Sequence, residues 1–223
     1  MRTDGSLFDA HRGKLRSFGL AYAVFCIGYA ATGRLALKTP TPLPEMGADR
    51  MIPFVEGSVW IYLMQFVFLP VAILSMSPER MNRALRSMAL ASLISFAAFL
   101  AFPTMIPRSH IPTHAASAWL FQLIQMIDTP TNCCPSLHVS LAFLAALHLG
   151  LERRSWRWTS LLIAVLISIS TMTVKQHYAL DVGGGFLVAL ICWGAEPLLW
   201  PAITQESNAA SGLSVSRIPG GPS

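Results

Sequence analysis

Charged side chains are scarce in this sequence. Asp, Glu, Lys and Arg together make up only 12% of the 223 residues, whereas 53% are hydrophobic. Because soluble domains carry about 25% charged residues, this composition excludes an ordinary soluble domain. The short alternating segments typical of a membrane β-barrel are also missing, since the apolar residues form long continuous runs. The sequence therefore predicts an all-α, polytopic membrane protein.

Cysteine is also scarce, and the basic residues do not form one large cluster. Cys26 and Cys192 lie in apolar runs and Cys133 and Cys134 are adjacent, so the four cysteines form no spaced metal-binding or redox motif. The net charge of +5 comes from small basic groups between the apolar runs. That distribution is typical of membrane topology signals, and no nucleic-acid partner is expected.

Windows of about 20 residues separate six apolar blocks along the chain. We expect residues 17–203 to form a six-helix membrane domain, preceded by a cytoplasmic segment, 1–16, and followed by a flexible cytoplasmic tail, 204–223, rich in Ser, Gly and Pro. The first block also fits a cleaved signal sequence, because the small residues Ala30 and Ala31 close it. The blocks are 17–33, 57–76, 87–104, 136–151, 158–174 and 182–200.

Basic residues alternate between the segments that connect the blocks. The N-terminal segment and the segments after the second and fourth blocks contain ten of the sixteen Lys and Arg residues. By the positive-inside rule these segments face the cytoplasm. The sequence thus predicts an integral inner-membrane protein with both termini in the cytoplasm, and places the loops 34–56, 105–135 and 175–181 on the outer face.

Aromatic and apolar residues mark the predicted outer interface. In Ala115–Ile127 the apolar residues recur at helical spacing, which predicts an amphipathic helix lying along that interface. We interpret Trp60, Tyr62 and Tyr178 as part of an aromatic belt on the same side.

Polar residues near membrane spans gather in three segments, 102–108, 132–139 and 175–182. Ionisable groups at such positions are costly and are usually functional. All three segments fall in or beside the predicted outer loops, although the charge count that assigns those loops does not use them. This agreement predicts one polar site at the outer end of the bundle.

His177 and Asp181 are four residues apart and therefore share one face of a helical turn. The carboxylate would accept one imidazole N–H and leave the other ring nitrogen as a nucleophile. Gly183, Gly184 and Gly185 follow directly. Positions without side chains permit the close approach of another helix, which is the simpler interpretation, or of a substrate.

The segment around Ser136 predicts a second half of the site. Pro135 suits the first turn of a helix, with Thr131 or Asn132 as its cap, so Ser136 and His138 would lie at a helix N-terminus. Such termini bind anions, and there a hydroxyl would bind phosphate oxygen while an imidazole would protonate a leaving group. The alternative is a plain helix cap with an interfacial histidine.

Two cations, Arg108 and Lys175, lie on the same predicted side. They would bind phosphate, unless they are interface residues whose charged ends only reach water. Taken together, the polar residues favour a phosphoryl-transfer site. No metal is expected, because Pro112 interrupts the helix on which His110 and His114 would form a metal-binding pair.

These motifs resemble the type 2 phosphatidic acid phosphatase superfamily, whose pattern is K-x6-R-P, P-S-G-H and S-R-x5-H-x3-D on a six-span core. Residues 135–138 read Pro-Ser-Leu-His, a variant similar to the branch with inositol phosphorylceramide synthase-like proteins. The third motif supplies Ser170, His177 and Asp181 at the family spacing. The first motif keeps Arg108, but Ala101, Ser109 and Thr171 stand where the family has lysine, proline and arginine.

The resemblance implies a double displacement that needs neither a metal nor another cofactor. His177 would attack the phosphorus with the support of Asp181, and His138 would protonate the leaving group. The resemblance and the positive charges together imply four phosphate-binding residues, Arg108, Lys175, Ser136 and Ser170.

The function implied by the resemblance is that of a membrane phosphatase. It would hydrolyse a phosphomonoester or diphosphate of a lipid at the outer leaflet through a phosphohistidine, with the lipid phosphate and the bilayer as its partners. A second hypothesis is a phosphotransferase that uses a lipid or polyol hydroxyl as acceptor. A third is a non-enzymatic transporter or anion-binding membrane protein. The sequence predicts neither a particular lipid nor an oligomeric state.

Overall fold

The computed structural model describes residues 4–35, 38–107, 115–128 and 130–200. Arg108, His110, His114 and the predicted tail 204–223 lie outside these residues. The described helices are α1 (Asp4–Arg34), α2 (Gly47–Met51), α3 (Val59–Leu74), α4 (Pro78–Ala101), α5 (Ala115–Ile127), α6 (Leu137–Glu152), α7 (Arg157–Thr173) and α8 (Ala179–Leu199). Strands β1 (Thr41–Pro42) and β2 (Thr104–Met105) pair in parallel, and 3-10 turns at Glu56–Ser58 and Arg154–Trp156 lead into α3 and α7.

Each of the six predicted apolar blocks corresponds to one long helix, so the helical class is confirmed. Five of these helices are long and apolar enough to cross a membrane. The exception is α6, whose 16 residues span about 24 Å at 1.5 Å per residue, less than the roughly 30 Å of a hydrocarbon core. The count of six spans therefore stays a prediction.

Helix α6 lies at the centre of the bundle and packs against α3, α4, α7 and α8. Eleven of its sixteen residues are buried, and the small residues Ala142, Ala145 and Ala146 allow its neighbours to approach closely. Its N-cap is Ser136, and His138 lies in its first turn.

Basic residues and their partners collect at one end of the bundle, as the sequence predicts. Arg80 pairs with Glu152 at 3.9 Å and Arg83 with the buried Glu196 at 3.6 Å, and Lys14 Nζ donates to the carbonyl of Met76 at 2.5 Å. The opposite end is formed by the last turns of α1, α4 and α7 and the first turns of α3, α6 and α8. That this basic end faces the cytoplasm stays a prediction.

The connections at the opposite end are joined to one another by hydrogen bonds. Thr41 lies opposite Thr104 in the strand pair, and Thr104 Oγ1 accepts the N–H of Cys134 at 3.3 Å. Asn132 Nδ2 donates to Tyr29 O at 3.0 Å and to Thr32 Oγ1 at 3.1 Å. These bonds tie the loop before α6 to the last turns of α1 and to β2, the strand that follows α4.

Helix α5 occupies the predicted bounds and is amphipathic. Leu120, Phe121 and Ile124 are buried against Val59 and Tyr62 of α3. On its other face Trp119 and Met126 are 55% and 78% exposed. The expected helix is thus confirmed, and it covers the start of α3. Its position along a membrane interface stays a prediction.

Candidate active site

His177 lies in the turn between α7 and α8 and is held there by the backbone. Its N–H donates to the carbonyl of Thr171 at 3.1 Å, which also accepts the N–H of Gln176 at 3.0 Å. Nδ1 of His177 bonds Asp181 Oδ2, while Asp181 Oδ1 accepts the N–H of Tyr178 at 2.7 Å. One carboxylate therefore caps α8 and orients the imidazole, which leaves Nε2 of His177 directed away from it.

The charge of Asp181 controls the protonation of His177. Both groups are buried, with His177 4% and Asp181 0% exposed. Burial by itself lowers the pKa of His177, but the charge of Asp181 and its hydrogen bond raise it more, and Asp128 acts in the same direction. The pKa of His177 is therefore raised above the usual value for histidine, and the imidazole retains a proton to higher pH.

His138 is brought to His177 from α6, although the two residues are 39 positions apart. His138 Nδ1 lies 3.4 Å from His177 Nε2, and the two rings meet edge to face with centroids 5.4 Å apart. A hydrogen bond between two imidazole nitrogens requires that one of them carries a hydrogen. The pair is therefore suited to share and pass on one proton.

Ser136 is the cap of α6, so the predicted cap at Thr131 or Asn132 is wrong. The helix begins at Leu137 because the loop before it is held by other bonds: the Asn132 side chain bonds α1, and Ser136 N donates to Asp181 O at 2.9 Å. The Ser136 hydroxyl is buried and has no hydrogen-bond partner among the described residues. A buried hydroxyl without a partner at a helix N-terminus is suited to receive an anion.

The glycines after Asp181 allow the two halves of the site to meet. A Cβ atom on Gly185 would overlap the carbonyl oxygen of Ser136 and lie 3.1 Å from Ser136 C, and one on Gly184 would lie 3.3 Å from Pro135 Cβ. A Cβ atom on Gly183 would have nothing within 4 Å. Close approach of a helix, the simpler interpretation of this run, applies to Gly184 and Gly185.

Lys175 lies beside the site, but its ammonium group already has partners. Its backbone is left-handed, with φ of 59°, and Nζ donates to the carbonyls of Asp49 at 3.2 Å and Ile52 at 2.5 Å. An ammonium has three hydrogens, so one remains for another acceptor. Phosphate binding by Lys175 stays a prediction.

For the other two predicted phosphate-binding residues, Ser170 and Arg108, the described part of the chain gives no contact with the histidines. Ser170 is buried on α7 and its hydroxyl donates to Ile167 O at 2.6 Å, so its hydrogen is used within the helix. Arg108 lies outside the described residues, three positions after β2, and β2 is part of the end that holds the histidines. Roles for both residues in phosphate binding stay predictions.

Two residues for which the sequence predicts no role in the site, Tyr62 and Asp128, lie beside the histidines. Tyr62 is 1% exposed, so its assignment to the aromatic belt is wrong: its hydroxyl lies 2.9 Å from His138 Nε2 and donates to Asp128 Oδ2 at 3.2 Å. Tyr29 donates to the other oxygen, Asp128 Oδ1. For Asp128 the sequence does offer a signal, because this carboxylate directly follows the apolar helix α5. A tyrosine in an apolar run gives no such signal.

A further carboxylate fixes the start of α8 from the first long loop. Asp49 is 3% exposed, and its Oδ1 accepts the N–H of Ala179 at 2.7 Å while Oδ2 accepts that of Met46 at 2.8 Å. Because Lys175 also bonds the carbonyl of Asp49, the helix α2 is joined to both sides of the His177 turn.

A small pocket opens beside His177. It is lined by Ile106, Asp128, Pro130, Asn132, Cys133, Lys175, Gln176 and His177. Asn132 is 3% exposed, and its Oδ1 has no hydrogen-bond partner within the described part of the chain. The Asn132 amide hydrogens are used toward α1, so the acceptor atom is the one left for a ligand.

Asp128, His138 and His177 are also close enough to hold a metal ion. One ligand atom from each lies within 4.8 Å of the others. An imidazole nitrogen pair with a carboxylate is a donor set that zinc accepts, although the same atoms are used here in hydrogen bonds to one another and to Tyr62. The expected independence of metal stays a prediction, and chelation tests it.

Comparison with known families gives a match over more than half of the chain. A family model described as the PAP2 superfamily matches residues 55–195, which include α3, α4, α6, α7 and most of α8. No curated protein and no solved structure gives a significant match.

Proposed function

This chain belongs to the PAP2 superfamily, and we propose on that basis that it is an integral-membrane lipid phosphate phosphatase. In this proposal it hydrolyses a phosphomonoester or diphosphate of a lipid at the outer leaflet through a phosphohistidine. One observation carries the proposal: His177 Nε2, oriented through the buried Asp181, lies 3.4 Å from a second imidazole, His138. A nucleophile, its orienting group and an acid are thereby assembled in one place.

The first chemical step uses the two imidazoles in opposite roles. The Nε2 lone pair of His177 forms a bond to phosphorus, and the bond from phosphorus to the leaving oxygen breaks with its electron pair on that oxygen. His138 Nδ1 delivers the proton that the leaving oxygen takes up. Asp181 stabilises the positive charge that develops on His177, to which it is hydrogen-bonded.

The second step reverses these roles. His138 Nδ1, now without its proton, accepts one from a water molecule whose oxygen attacks the phosphorus. The bond from nitrogen to phosphorus breaks with its electron pair on His177 Nε2, and inorganic phosphate leaves. Both histidines return to their starting protonation states.

The groups proposed to bind the phosphate come from the start of α6 and from the turn that carries His177. They are the buried Ser136 hydroxyl, the N–H groups that the first turn of a helix leaves without a partner, and Lys175, which retains one ammonium hydrogen. Arg108 would add a bidentate cation. Protein donors of this kind neutralise the equatorial oxygens during phosphoryl transfer.

The proposal of a lipid substrate rests on the surroundings of the site. The histidines lie at one end of a bundle with five helices that are apolar and long enough to span a membrane. The basic residues described above lie at the other end, which by the positive-inside rule is cytoplasmic. A phosphate headgroup anchored by an apolar tail would reach the site from the outer leaflet.

Phosphate release by the purified protein in detergent tests this function directly. The assay uses a small panel of lipid phosphates, with and without chelator, and traps labelled enzyme in alkali, where phosphohistidine is stable. Chelator-resistant release with an alkali-stable, acid-labile label supports the proposal. Saturable binding of the lipid phosphates without turnover would replace it with the anion-binding or transport role.

The proposal predicts a bell-shaped pH dependence with an alkaline limb controlled by Asp181. Activity requires one proton on the histidine pair, and the apparent pKa values belong to the pair. Because Asp181 raises the pKa of His177, that proton is retained to higher pH than in an isolated histidine. In Asp181→Asn the stabilising charge is lost, and the alkaline limb of kcat/KM moves to lower pH. The profile of kcat/KM from pH 5 to pH 10 measures this; an unmoved limb contradicts the assignment.

A second candidate, phosphotransfer to an alcohol, is favoured by the pocket beside His177. Asp128 and Asn132 line it with oxygen acceptors, and Asn132 Oδ1 is buried without a partner. Such a pocket suits a ligand that donates hydrogen bonds, as a hydroxyl group does. An alcohol bound there would compete with water for the phosphohistidine.

Partition of the phosphoenzyme distinguishes water from an alcohol as acceptor. With a short-chain polyol or a lipid alcohol in the assay, a transferase forms a phosphorylated alcohol while free phosphate falls by the same amount. A phosphatase releases the same amount of phosphate with or without the alcohol. Replacing Asn132 with Leu removes the acceptor and also the two amide bonds to α1. Transfer is expected to fall at least about tenfold more than hydrolysis, which is affected only through those two bonds.

A further inference from the structure

The direction of the Tyr62 hydroxyl hydrogen follows from two of its contacts. The phenol oxygen lies 2.9 Å from His138 Nε2 and 3.2 Å from Asp128 Oδ2. An ionised carboxylate can only accept, so the single phenol hydrogen goes to Asp128, and the phenol oxygen accepts from His138. His138 therefore carries its hydrogen on Nε2, and Nδ1 is the nitrogen that gains and loses a proton.

The carboxylate at the end of this chain of bonds accepts hydrogen bonds at both oxygens. Asp128 is 8% exposed, and two phenols donate to it, Tyr29 at Oδ1 and Tyr62 at Oδ2. Hydrogen bonds to the ionised form stabilise that form. The Asp128 carboxylate is thus joined to His138 Nε2 by two hydrogen bonds through the Tyr62 hydroxyl.

We propose that Tyr62 and Asp128 are positioning residues for His138, which hold its hydrogen on Nε2 and stabilise its imidazolium form. The proposal rests on the proposed function, since it assigns the proton that this reaction needs. Asp181 orients His177, and the pair of Asp128 and Tyr62 orients His138 in the same way. Each imidazole therefore has its own carboxylate.

With His138 held in this way, a single proton shared by the two histidines serves both chemical steps of the reaction. In the resting site it lies between His177 Nε2 and His138 Nδ1, 3.4 Å apart. When it moves fully to His138 Nδ1, the lone pair of His177 Nε2 becomes available to attack phosphorus, and the same proton then passes to the leaving oxygen. Water or an alcohol returns a proton to Nδ1 in the second step, so the count is balanced without any further acid or base.

The matched pair Tyr62→Phe and Tyr29→Phe tests the proposal. Both substitutions remove one phenol hydrogen bond to Asp128, but only Tyr62→Phe removes the bond to His138. With a lipid alkyl phosphate, we expect kcat of Tyr62→Phe to fall about ten- to a hundredfold with KM nearly unchanged, within the range of general acid–base contributions. Tyr29→Phe removes one phenol bond to Asp128 but keeps the bond to His138, so its kcat is expected to fall less, by about three- to tenfold.

Two readouts separate positioning from a merely structural role. An aryl phosphate with a good leaving group needs little protonation, so the loss in Tyr62→Phe should shrink to a few-fold with that substrate. Because the alkaline limb of the pH profile belongs to the histidine pair, it should move to lower pH in Tyr62→Phe, where the bond that stabilises the His138 imidazolium is lost. Nitrogen-15 NMR of histidine-labelled parent protein is expected to show His138 with its hydrogen on Nε2, identified by the signal lost in His138→Asn.

The outcomes decide between the proposal and its alternatives. Equal losses in Tyr62→Phe and Tyr29→Phe, or a loss independent of the leaving group, overturn the positioning role and leave the phosphatase assignment intact. A His138 signal with hydrogen on Nδ1 overturns it without reference to activity. Activity abolished by chelator and restored by zinc also overturns it, because Asp128 would then be a metal ligand. Full activity in a His177→Asn variant would instead contradict the proposed function itself.

Discussion

The His177→Asn variant is expected to release phosphate from a lipid phosphate at least about a thousandfold more slowly than the parent protein, because loss of a nucleophile removes the covalent route altogether. Asparagine retains a polar group that can still bond Asp181, so the turn before α8 keeps a partner. Phosphate release under substrate saturation measures the effect. The alkali-stable label expected on the parent should be absent from the variant.

His148 supplies the matched control for this substitution. It is also a fully buried histidine, and it lies on α6, ten positions after His138, where Nε2 is 3.4 Å from Glu196 at the basic end. His148→Gln is expected to keep the activity per folded molecule within about threefold, whatever its effect on stability. A His177→Asn protein that still forms a covalent phosphoenzyme would show that another residue is the nucleophile.

The Gly185→Ala variant is expected to lose both stability and activity, because α8 can no longer lie against the start of α6. The added Cβ would overlap the carbonyl oxygen of Ser136 and lie 3.1 Å from Val139 Cβ. The helices have to separate, which costs about 1–3 kcal/mol for overpacking and shifts the residues that hold Asp181 and Ser136. We expect the melting midpoint to fall by about 5 °C and kcat by at least tenfold.

Gly183→Ala is the internal control on the same helix. A Cβ at Gly183 meets nothing within 4 Å, and alanine has the higher helix propensity, so this variant should be as stable as the parent or slightly more so. Thermal unfolding in detergent and phosphate release measure both variants. Equal behaviour of the two would contradict the close approach of α8 to α6 at Ser136.

The helices were predictable because hydrophobic runs are a local property of the chain. Residues that avoid water over the length of a membrane span must satisfy their own backbone, and only a helix does so within one segment. The six apolar blocks and Ala115–Ile127 therefore appear as helices. The start of α6 was placed wrongly, because Asn132 bonds Tyr29 and Thr32, about a hundred positions earlier, instead of capping its own helix.

One half of the site was predictable for a similar reason. His177 and Asp181 are four positions apart, so local geometry alone brings the imidazole to the carboxylate. The partners of His138 were not predictable in this way. Tyr62 and Asp128 are 76 and ten positions from His138 and come from α3 and the end of α5, and no local pattern directs their side chains toward it.

The sequence by itself determined the class of protein, the helical segments, the basic and polar ends, and the local pair of His177 and Asp181. Each of these depends on composition or on residues within a few turns of one another. The tertiary structure alone decided that His138 meets His177, that Gly185 rather than Gly183 lies against Ser136, and that Asp128 and Tyr62 bond the second histidine. These contacts depend on how distant helices pack, since the direction of a side chain is set by the rotation of its helix in the bundle and not by its neighbours in sequence.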